Sequence, residues 1–212
     1  EGALLEEESS AAQWVRNTYI TPDTAILARK AGERSLAFQS SMVKQAKQFR
    51  DADMDTETAR AIELILRGSS APAPNDAALR TELSAILTNM EGQYGSGQYC
   101  NTAGVCRELQ ELESVLAQSR DYDELLDVWQ GWRQVSPPYR KEYQRFVEIG
   151  NQGAKDFGYS NLADLWQGGY DMESEVFVEE SRRLWGEVKP FYDELHCYVR
   201  GRLSETYGAE KV

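Results

Sequence analysis

Histidine is the scarcest residue of chemical consequence in this 212-residue sequence, because His196 is the only one present. A histidine-based zinc site, a pair of acid/base histidines and an iron triad each need more imidazole groups than these residues contain. Basic residues are also few, with 23 Lys and Arg against 35 Asp and Glu and a formal net charge of -12. We therefore expect neither nucleic acid nor an anionic membrane as a partner, because both require a basic surface.

Long hydrophobic runs are missing as well. No apolar stretch approaches the roughly 20 residues of a transmembrane helix, so the sequence predicts a soluble chain. It begins Glu1-Gly2-Ala3, without methionine and without a basic segment followed by an apolar one, so we expect that any export signal has been removed. The abrupt end at Val212 suggests a fragment of a longer protein.

Helical periodicity is what the sequence has in abundance. Apolar residues recur at spacings of three and four in almost every segment longer than ten residues, and no sustained strand-like alternation occurs, so the predicted fold class is all-α. The predicted helices run over residues 3–17, from Pro22 to Phe49, from Asp55 to a C-cap at Gly68, over 77–94, from Arg107 onward, from a cap at Asp121, from a cap at Ser136 to a stop at Gly158, and over 173–207 with a bend at Pro190.

Residues 69–76 form the clearest predicted linker, because two prolines and several small polar residues disfavour a continuous helix. We place a subdomain boundary there, which divides the chain into residues 1–70 and 71–212.

The three cysteines fall into a close pair and a single residue. Cys100 and Cys106 flank a short loop that contains glycine, which favours a disulfide over two free thiols. As metal ligands they would need two further donors, and no nearby His or Cys supplies them. Cys197 lies within a helix beside aromatic residues, which is typical of a small buried residue. His196 has the same surroundings and is interpreted as a hydrogen-bonded packing residue.

Two aromatic clusters have helical spacing and are predicted to belong to the core. They are Trp129 with Trp132, and Tyr139 with Tyr143 and Phe146. Arg133 follows Trp132 directly. If both are buried, the guanidinium must be paired with an anion or a carboxylate.

Several motifs, taken in order, resemble one enzyme family. They are Trp14-x-x-Asn17-Thr18-x-Ile20-Thr21, Met90-Glu91-x-x-Tyr94, the Cys-x5-Cys loop, the run from Ser119 to Arg133 with Leu125-Leu126-x-x-Trp129-x-Gly131-Trp132-Arg133, and Leu195-His196-x-Tyr198-Val199-Arg200-x-x-Leu203. Together they are similar to the N-terminal part of the angiotensin-converting-enzyme family of M2 zinc peptidyl-dipeptidases, over essentially the whole chain.

The resemblance implies a helical, gluzincin-type peptidase with a deep central channel. Residues 1–70 would be lid helices and residues 71–212 one helical wall. Family members release C-terminal dipeptides with a zinc ion held by His-Glu-x-x-His and a downstream Glu. None of those residues occurs here, so we expect no catalytic residue and no metal ligand in this chain, and no peptidase activity from it alone.

The resemblance also implies roles for individual residues. Asn17 and Glu91 match residues that face the substrate channel, and Gln110 stands where some members have an acid near a substrate subsite. Arg133 matches an arginine that helps to bind chloride. Cys100 and Cys106 match a disulfide pair of the family.

Two hypotheses follow from these observations. In the first, the chain is the N-terminal part of a zinc peptidyl-dipeptidase, with a peptide substrate and with the remaining C-terminal part of the same enzyme as its partner. In the second, it is a stand-alone helical module that binds peptides or proteins without catalysis. The predicted disulfide indicates a secreted or periplasmic protein, and the lack of any Asn-x-Ser/Thr acceptor favours a bacterial relative.

Overall fold

The all-α prediction is confirmed by the computed structural model, which describes residues 1–68 and 70–212. The described helices are α1 (Gly2–Thr18), α2 (Pro22–Ala46) with a 3₁₀ turn (Lys47–Phe49), α3 (Thr56–Arg67), α4 (Ala77–Gly95), α5 (Leu109–Gln118), α6 (Tyr122–Trp132), α7 (Arg140–Phe157), α8 (Leu162–Gln167) and α9 (Ser174–Tyr207). Strands β1 (Gln98–Cys100) and β2 (Cys106–Glu108) pair as an antiparallel hairpin. The predicted helix from Arg107 is wrong in its first turn, because that residue belongs to β2 and pairs with Tyr99.

Several helix ends follow local capping chemistry. The Asp55 carboxylate accepts the Thr58 N–H at 2.9 Å and begins α3, and the Asp76 carboxylate does the same for α4 by accepting the Ala78 N–H at 2.7 Å. Gly158 ends α7 with a φ of +107°, a left-handed conformation that a residue with a side chain rarely adopts. The predicted ends at these positions are confirmed, whereas α7 begins at Arg140, after a 3₁₀ turn (Pro137–Tyr139).

The chain divides into two compact units, Glu1–Trp166 and Gln167–Val212. In the first unit, one core cluster joins α2, α3, α7 and α8, and another joins α4, α7 and α8. The first cluster consists of Val43, Ala46, Leu66, Ala154, Phe157 and Leu165, and the second of Leu83, Ile86, Phe146, Ile149 and Leu162. Helices α7 and α8 contribute to both clusters, so they connect the two parts of this core.

The middle of the predicted linker is buried, whereas Ser70, Asn75 and Asp76 are exposed. Ser69, its first residue, lies outside the described residues. Pro72, Ala73 and Pro74 are buried within the first unit. Prolines end helices, but their apolar rings can be buried against a neighbouring helix. The division into a lid (1–70) and a wall (71–212) stays a prediction.

The second unit consists mainly of α9, a helix of 34 residues that continues through Pro190. None of its residues is buried, and many large apolar side chains along it are exposed. The prediction that Cys197 is a small buried residue is wrong, because its thiol is free and exposed. His196 is exposed as well and stacks on the Tyr192 ring, with centroids 5.9 Å apart. Across the two described ranges, no helix is long and apolar enough to cross a bilayer.

Candidate functional site

The two predicted substrate-contact residues, Asn17 on α1 and Glu91 on α4, are joined by a third side chain. The Gln13 amide donates one hydrogen bond to Asn17 Oδ1 at 3.3 Å and another to Glu91 Oε2 at 2.6 Å. Gln13 lies one helical turn before Asn17, so the two share a face of α1. We call Gln13, Asn17 and Glu91 the amide–carboxylate junction. Sequence reasoning missed Gln13, although its spacing of four from Asn17 was a usable signal.

Arg16 lies next to this junction in sequence and is only 6 % exposed. Its guanidinium donates from NH1 to the Thr21 carbonyl at 3.0 Å, which ties the end of α1 to the start of α2. In the described part of the chain Arg16 has no carboxylate partner, and its Nε is buried without a hydrogen bond. Burying a cation in this way carries a desolvation cost.

The guanidinium of Arg16 reaches the backbone of α4 at Gly92. A methyl group built on Gly92 would lie 1.9 Å from Arg16 NH2, which is far inside van der Waals contact. Any side chain at position 92 would therefore push the arginine away from α4. Gly92 directly follows Glu91, so the Arg16 guanidinium fits beside α4 at this point because position 92 has no side chain.

The hairpin after α4 is closed by the predicted disulfide. Cys100 and Cys106 are opposite each other in the strand register and are joined through their sulfur atoms. Inside the loop, the Asn101 side-chain oxygen accepts the N–H groups of Ala103 at 3.1 Å and of Val105 at 2.9 Å. The disulfide prediction is confirmed, and the loop that it closes is ordered by local hydrogen bonds.

The hairpin is held against α6 by Tyr99. Its hydroxyl donates to Asp127 Oδ1 at 2.6 Å, and this hydrogen bond raises the pKa of the Tyr99 phenol. Five residues earlier in the chain, the Tyr94 ring of α4 meets the Trp132 ring edge to face, with centroids 5.6 Å apart. Both contacts connect α6 to the segment that carries Glu91.

Arg133 follows α6, and neither it nor Trp129 is buried. The guanidinium carbon lies 3.4 Å from the centre of the Trp129 ring, and NH1 donates to the Trp129 carbonyl. Trp129 is 49 % exposed, so its assignment to the core is wrong, and so is that of Tyr143, which is 52 % exposed. Phe146 alone among the predicted aromatic residues belongs to a core cluster. Arg133 is exposed, so the argument that a buried guanidinium needs an anion does not apply to it in this structure. The role of Arg133 in binding chloride stays a prediction.

Gln110 is exposed in the first turn of α5, where its backbone carbonyl accepts the Ser114 hydroxyl at 3.0 Å. No hydrogen bond among the described residues joins Gln110 to the amide–carboxylate junction. Its assignment to a substrate subsite therefore stays a prediction.

The described residues do not fit a zinc site. Within residues 1–68 and 70–212, no group of three or more His, Cys, Asp or Glu side chains is placed to hold a metal ion. The single histidine, His196, lies on the exposed helix α9.

Comparison with known proteins identifies the family. The sequence model of the Peptidase_M2 family, described as angiotensin-converting enzyme, matches residues 2–212. Angiotensin-converting enzyme of Bos taurus is 32 % identical over 207 residues, which cover 95 % of this chain and 16 % of the bovine protein. The enzyme of Rattus norvegicus is 31 % identical over 211 residues, covering 97 % of this chain and 16 % of the rat protein. The chain thus spans 16 % of the length of these relatives, and it belongs to the Peptidase_M2 family of angiotensin-converting enzymes.

Proposed function

We propose that this chain is the lid-bearing N-terminal part of a zinc-dependent peptidyl-dipeptidase, an enzyme that releases dipeptides from the C-termini of peptides. The observation that carries the proposal is the family match over residues 2–212. Zinc would supply an activated water for hydrolysis, and its ligands would lie outside these residues. On its own, the 212-residue chain is expected to be inactive.

The amide–carboxylate junction supports a role in positioning a peptide. Gln13 uses its amide N–H groups on Asn17 Oδ1 and Glu91 Oε2. Because Asn17 Oδ1 faces Gln13, the Asn17 Nδ2 group points away from Gln13. In this proposal Nδ2 donates a hydrogen bond to a carbonyl of the bound peptide. The arrangement also leaves Glu91 Oε1 as an acceptor for a peptide N–H. In this proposal Asn17 and Glu91 contact the substrate, and Gln13 is a positioning residue.

The exposed face of α9 supports the remaining C-terminal part of the same enzyme as a partner. Five half-exposed apolar residues follow one another at spacings of three and four: Trp185, Val188, Tyr192, Leu195 and Val199. Such a stripe is typical of a helix that packs against other helices. We propose that the catalytic part of the enzyme covers this face.

The disulfide supports a location outside the reducing cytosol. Disulfides such as Cys100–Cys106 persist in oxidising compartments. We therefore propose a secreted or periplasmic enzyme.

The test of this function uses the enzyme that contains this chain. The purified enzyme with zinc should release C-terminal dipeptides from a model peptide, and the 212-residue chain with zinc should release none. Glu91→Gln and Gln13→Ala should each raise KM about fivefold with little change in kcat, because they remove or misplace an exposed polar contact worth roughly 1 kcal/mol.

The matched control is Gln45→Ala, which removes an exposed glutamine of α2 that bonds only to Ser41 in the described part of the chain. If Gln45→Ala and Glu91→Gln change KM equally, the amide–carboxylate junction does not contribute to substrate binding. If the whole protein binds the model peptide but does not cleave it, the proposed peptidase activity is wrong and the protein is a non-catalytic binding module.

The chloride role of Arg133 is a separate part of the proposal. Arg133→Ala in the whole enzyme should flatten the dependence of peptidase activity on chloride, whereas Arg140→Ala, a nearby exposed arginine, should leave it unchanged. If Arg133→Ala leaves the chloride response intact, the arginine serves only to stack on Trp129.

A further inference from the structure

A cleft of about 560 Å³ opens in the first unit, on the surface formed by α2 and the 3₁₀ turn after it, Asn75, the start of α4 and the end of α7. This volume lies in the range of pockets that hold small molecules, ~300–1,000 Å³. None of the residues of the amide–carboxylate junction lines it. The cleft is therefore distinct from the proposed peptide site.

The cleft is lined by three cations, Lys44, Lys47 and Arg80. None of them forms an ion pair within the part of the chain that the structure describes. The Arg80 guanidinium donates from NH1 to the carbonyls of Pro74 at 2.7 Å and Asn75 at 2.6 Å, and the Lys47 ammonium donates to the Asp156 carbonyl. These contacts orient two of the cations without neutralising them.

The only described carboxylate in the lining, Asp156, is already hydrogen-bonded to neutral groups. One of its oxygens accepts the Asn75 N–H at 2.8 Å, and the other accepts the Gln152 amide at 3.1 Å. One negative charge against three positive charges leaves the cleft with an excess of two. Such an excess is unusual in a chain with a net charge of -12, where Arg34, Arg145 and Arg183 are paired with glutamates.

Hydroxyl groups complete the lining on the α2 side. Ser40 and Ser41 both line the cleft, and Ser40 is only 8 % exposed, with its hydroxyl 3.4 Å from Asn75 Oδ1. The Ser40 hydroxyl donates to Asn75, whereas the Ser41 oxygen accepts the Gln45 amide and leaves the Ser41 hydroxyl as a donor. Lysine ammonium groups, a guanidinium held by backbone carbonyls and the Ser41 hydroxyl together match the several acceptor oxygens and the double charge of a phosphate group. A single chloride ion would leave most of the volume and most of these donors unused.

We propose that this cleft binds a phosphorylated small molecule through its phosphate group, with Lys44, Lys47 and Arg80 as the charged contacts. The site is independent of the proposed peptidase function, since it uses none of the residues assigned to the substrate. It would give this chain a ligand of its own, held by residues other than those of the amide–carboxylate junction.

The test is a calorimetric titration of the 212-residue chain with pyrophosphate, at constant ionic strength set with sodium chloride. Saturable binding of one pyrophosphate per chain is expected. Lys44→Gln should weaken it at least about fivefold, because one close charge contact is lost. The Lys44 side chain is exposed and forms no hydrogen bond or ion pair in the described residues, so its replacement is expected to leave the fold intact. The matched control is Lys30→Gln, which removes an exposed lysine of the same helix outside the cleft and should change the Kd less than twofold.

Three results would overturn the proposal. They are the absence of saturable binding at millimolar pyrophosphate, equal weakening by Lys30→Gln and Lys44→Gln, and binding that survives the double substitution Lys44→Gln and Lys47→Gln unchanged. A melting curve of each variant without pyrophosphate verifies that it is folded, and Lys44→Gln alone decides the outcome if the double variant is not.

Discussion

Gly153→Ala is the substitution for which the fold makes the sharpest prediction. Gly153 is buried in α7, and a methyl group built there would lie 2.1 Å from the Pro72 carbonyl oxygen and 2.8 Å from its carbonyl carbon. Both atoms are backbone, so no side-chain rotation relieves the clash. Residues 72–74 and α7 would have to move apart by about 1 Å to restore ordinary contact distances.

The magnitude follows from two opposing effects. Alanine gains about 1 kcal/mol over glycine inside a helix, because it restricts the unfolded chain. Overpacking of a buried contact costs about 1–3 kcal/mol, and the upper end applies here because the neighbour is rigid backbone. The free energy of unfolding should therefore fall by about 2 kcal/mol, which lowers Tm by about 4–8 °C in a chain of this size.

Denaturant unfolding followed by helical circular dichroism measures this change. Gly32→Ala is the matched control in the same unit, because its nearest described atom is the Ser84 hydroxyl at 2.8 Å, at the end of a side chain. The higher helix propensity of alanine at position 32 should nearly offset the cost of displacing the Ser84 hydroxyl. The free energy of unfolding should therefore stay within about 0.5 kcal/mol of the wild-type value. Stability of Gly153→Ala equal to or above wild type would refute the packing of residues 72–74 against α7.

Two further predictions concern the disulfide and an ion pair. Thiol titration of the denatured, unreduced protein should find one reactive cysteine, Cys197, and a count of three would exclude the Cys100–Cys106 disulfide. The Arg145 guanidinium, 2.7 Å from the Glu82 carboxylate, lowers the pKa of Glu82 below its usual value. The stabilising contribution of this ion pair is therefore complete at pH values above the pKa of Glu82 in the unfolded chain. It is lost as the pH falls through the lower pKa of Glu82 in the folded protein. Because both side chains are 41 % exposed, Glu82→Gln should cost less than about 1 kcal/mol at pH 7 and nothing well below pH 4, and an equal cost at both pH values would contradict this.

Local chemistry in the sequence was enough for the helical class and for many element boundaries. Aspartates at positions 55, 76 and 121 cap helices through their own carboxylates, and Gly158 ends α7 because its φ suits glycine. The short spacing of Cys100 and Cys106 likewise predicted their pairing. These features depend on residues within one or two turns of each other, so the order of residues alone specifies them.

Contacts between distant residues could only come from the tertiary structure. Gln13 meets Glu91 across 78 positions, and Arg16 lies against Gly92, because α1 packs beside the end of α4. The same holds for the cleft, where Arg80 of α4 lies beside Lys44 and Lys47, which are more than 30 positions earlier in the chain.

Burial was the other property that residue type did not decide. Trp129 is half exposed and supports Arg133, whereas Pro72 and Pro74, typical linker residues, are fully buried. Apolar spacing tells which face of a helix favours burial, but whether that face is covered depends on what packs against it. The sequence by itself therefore determined the helical class, many of the helix ends and the disulfide, while packing between helices decided which side chains meet, because those contacts join segments far apart in the chain.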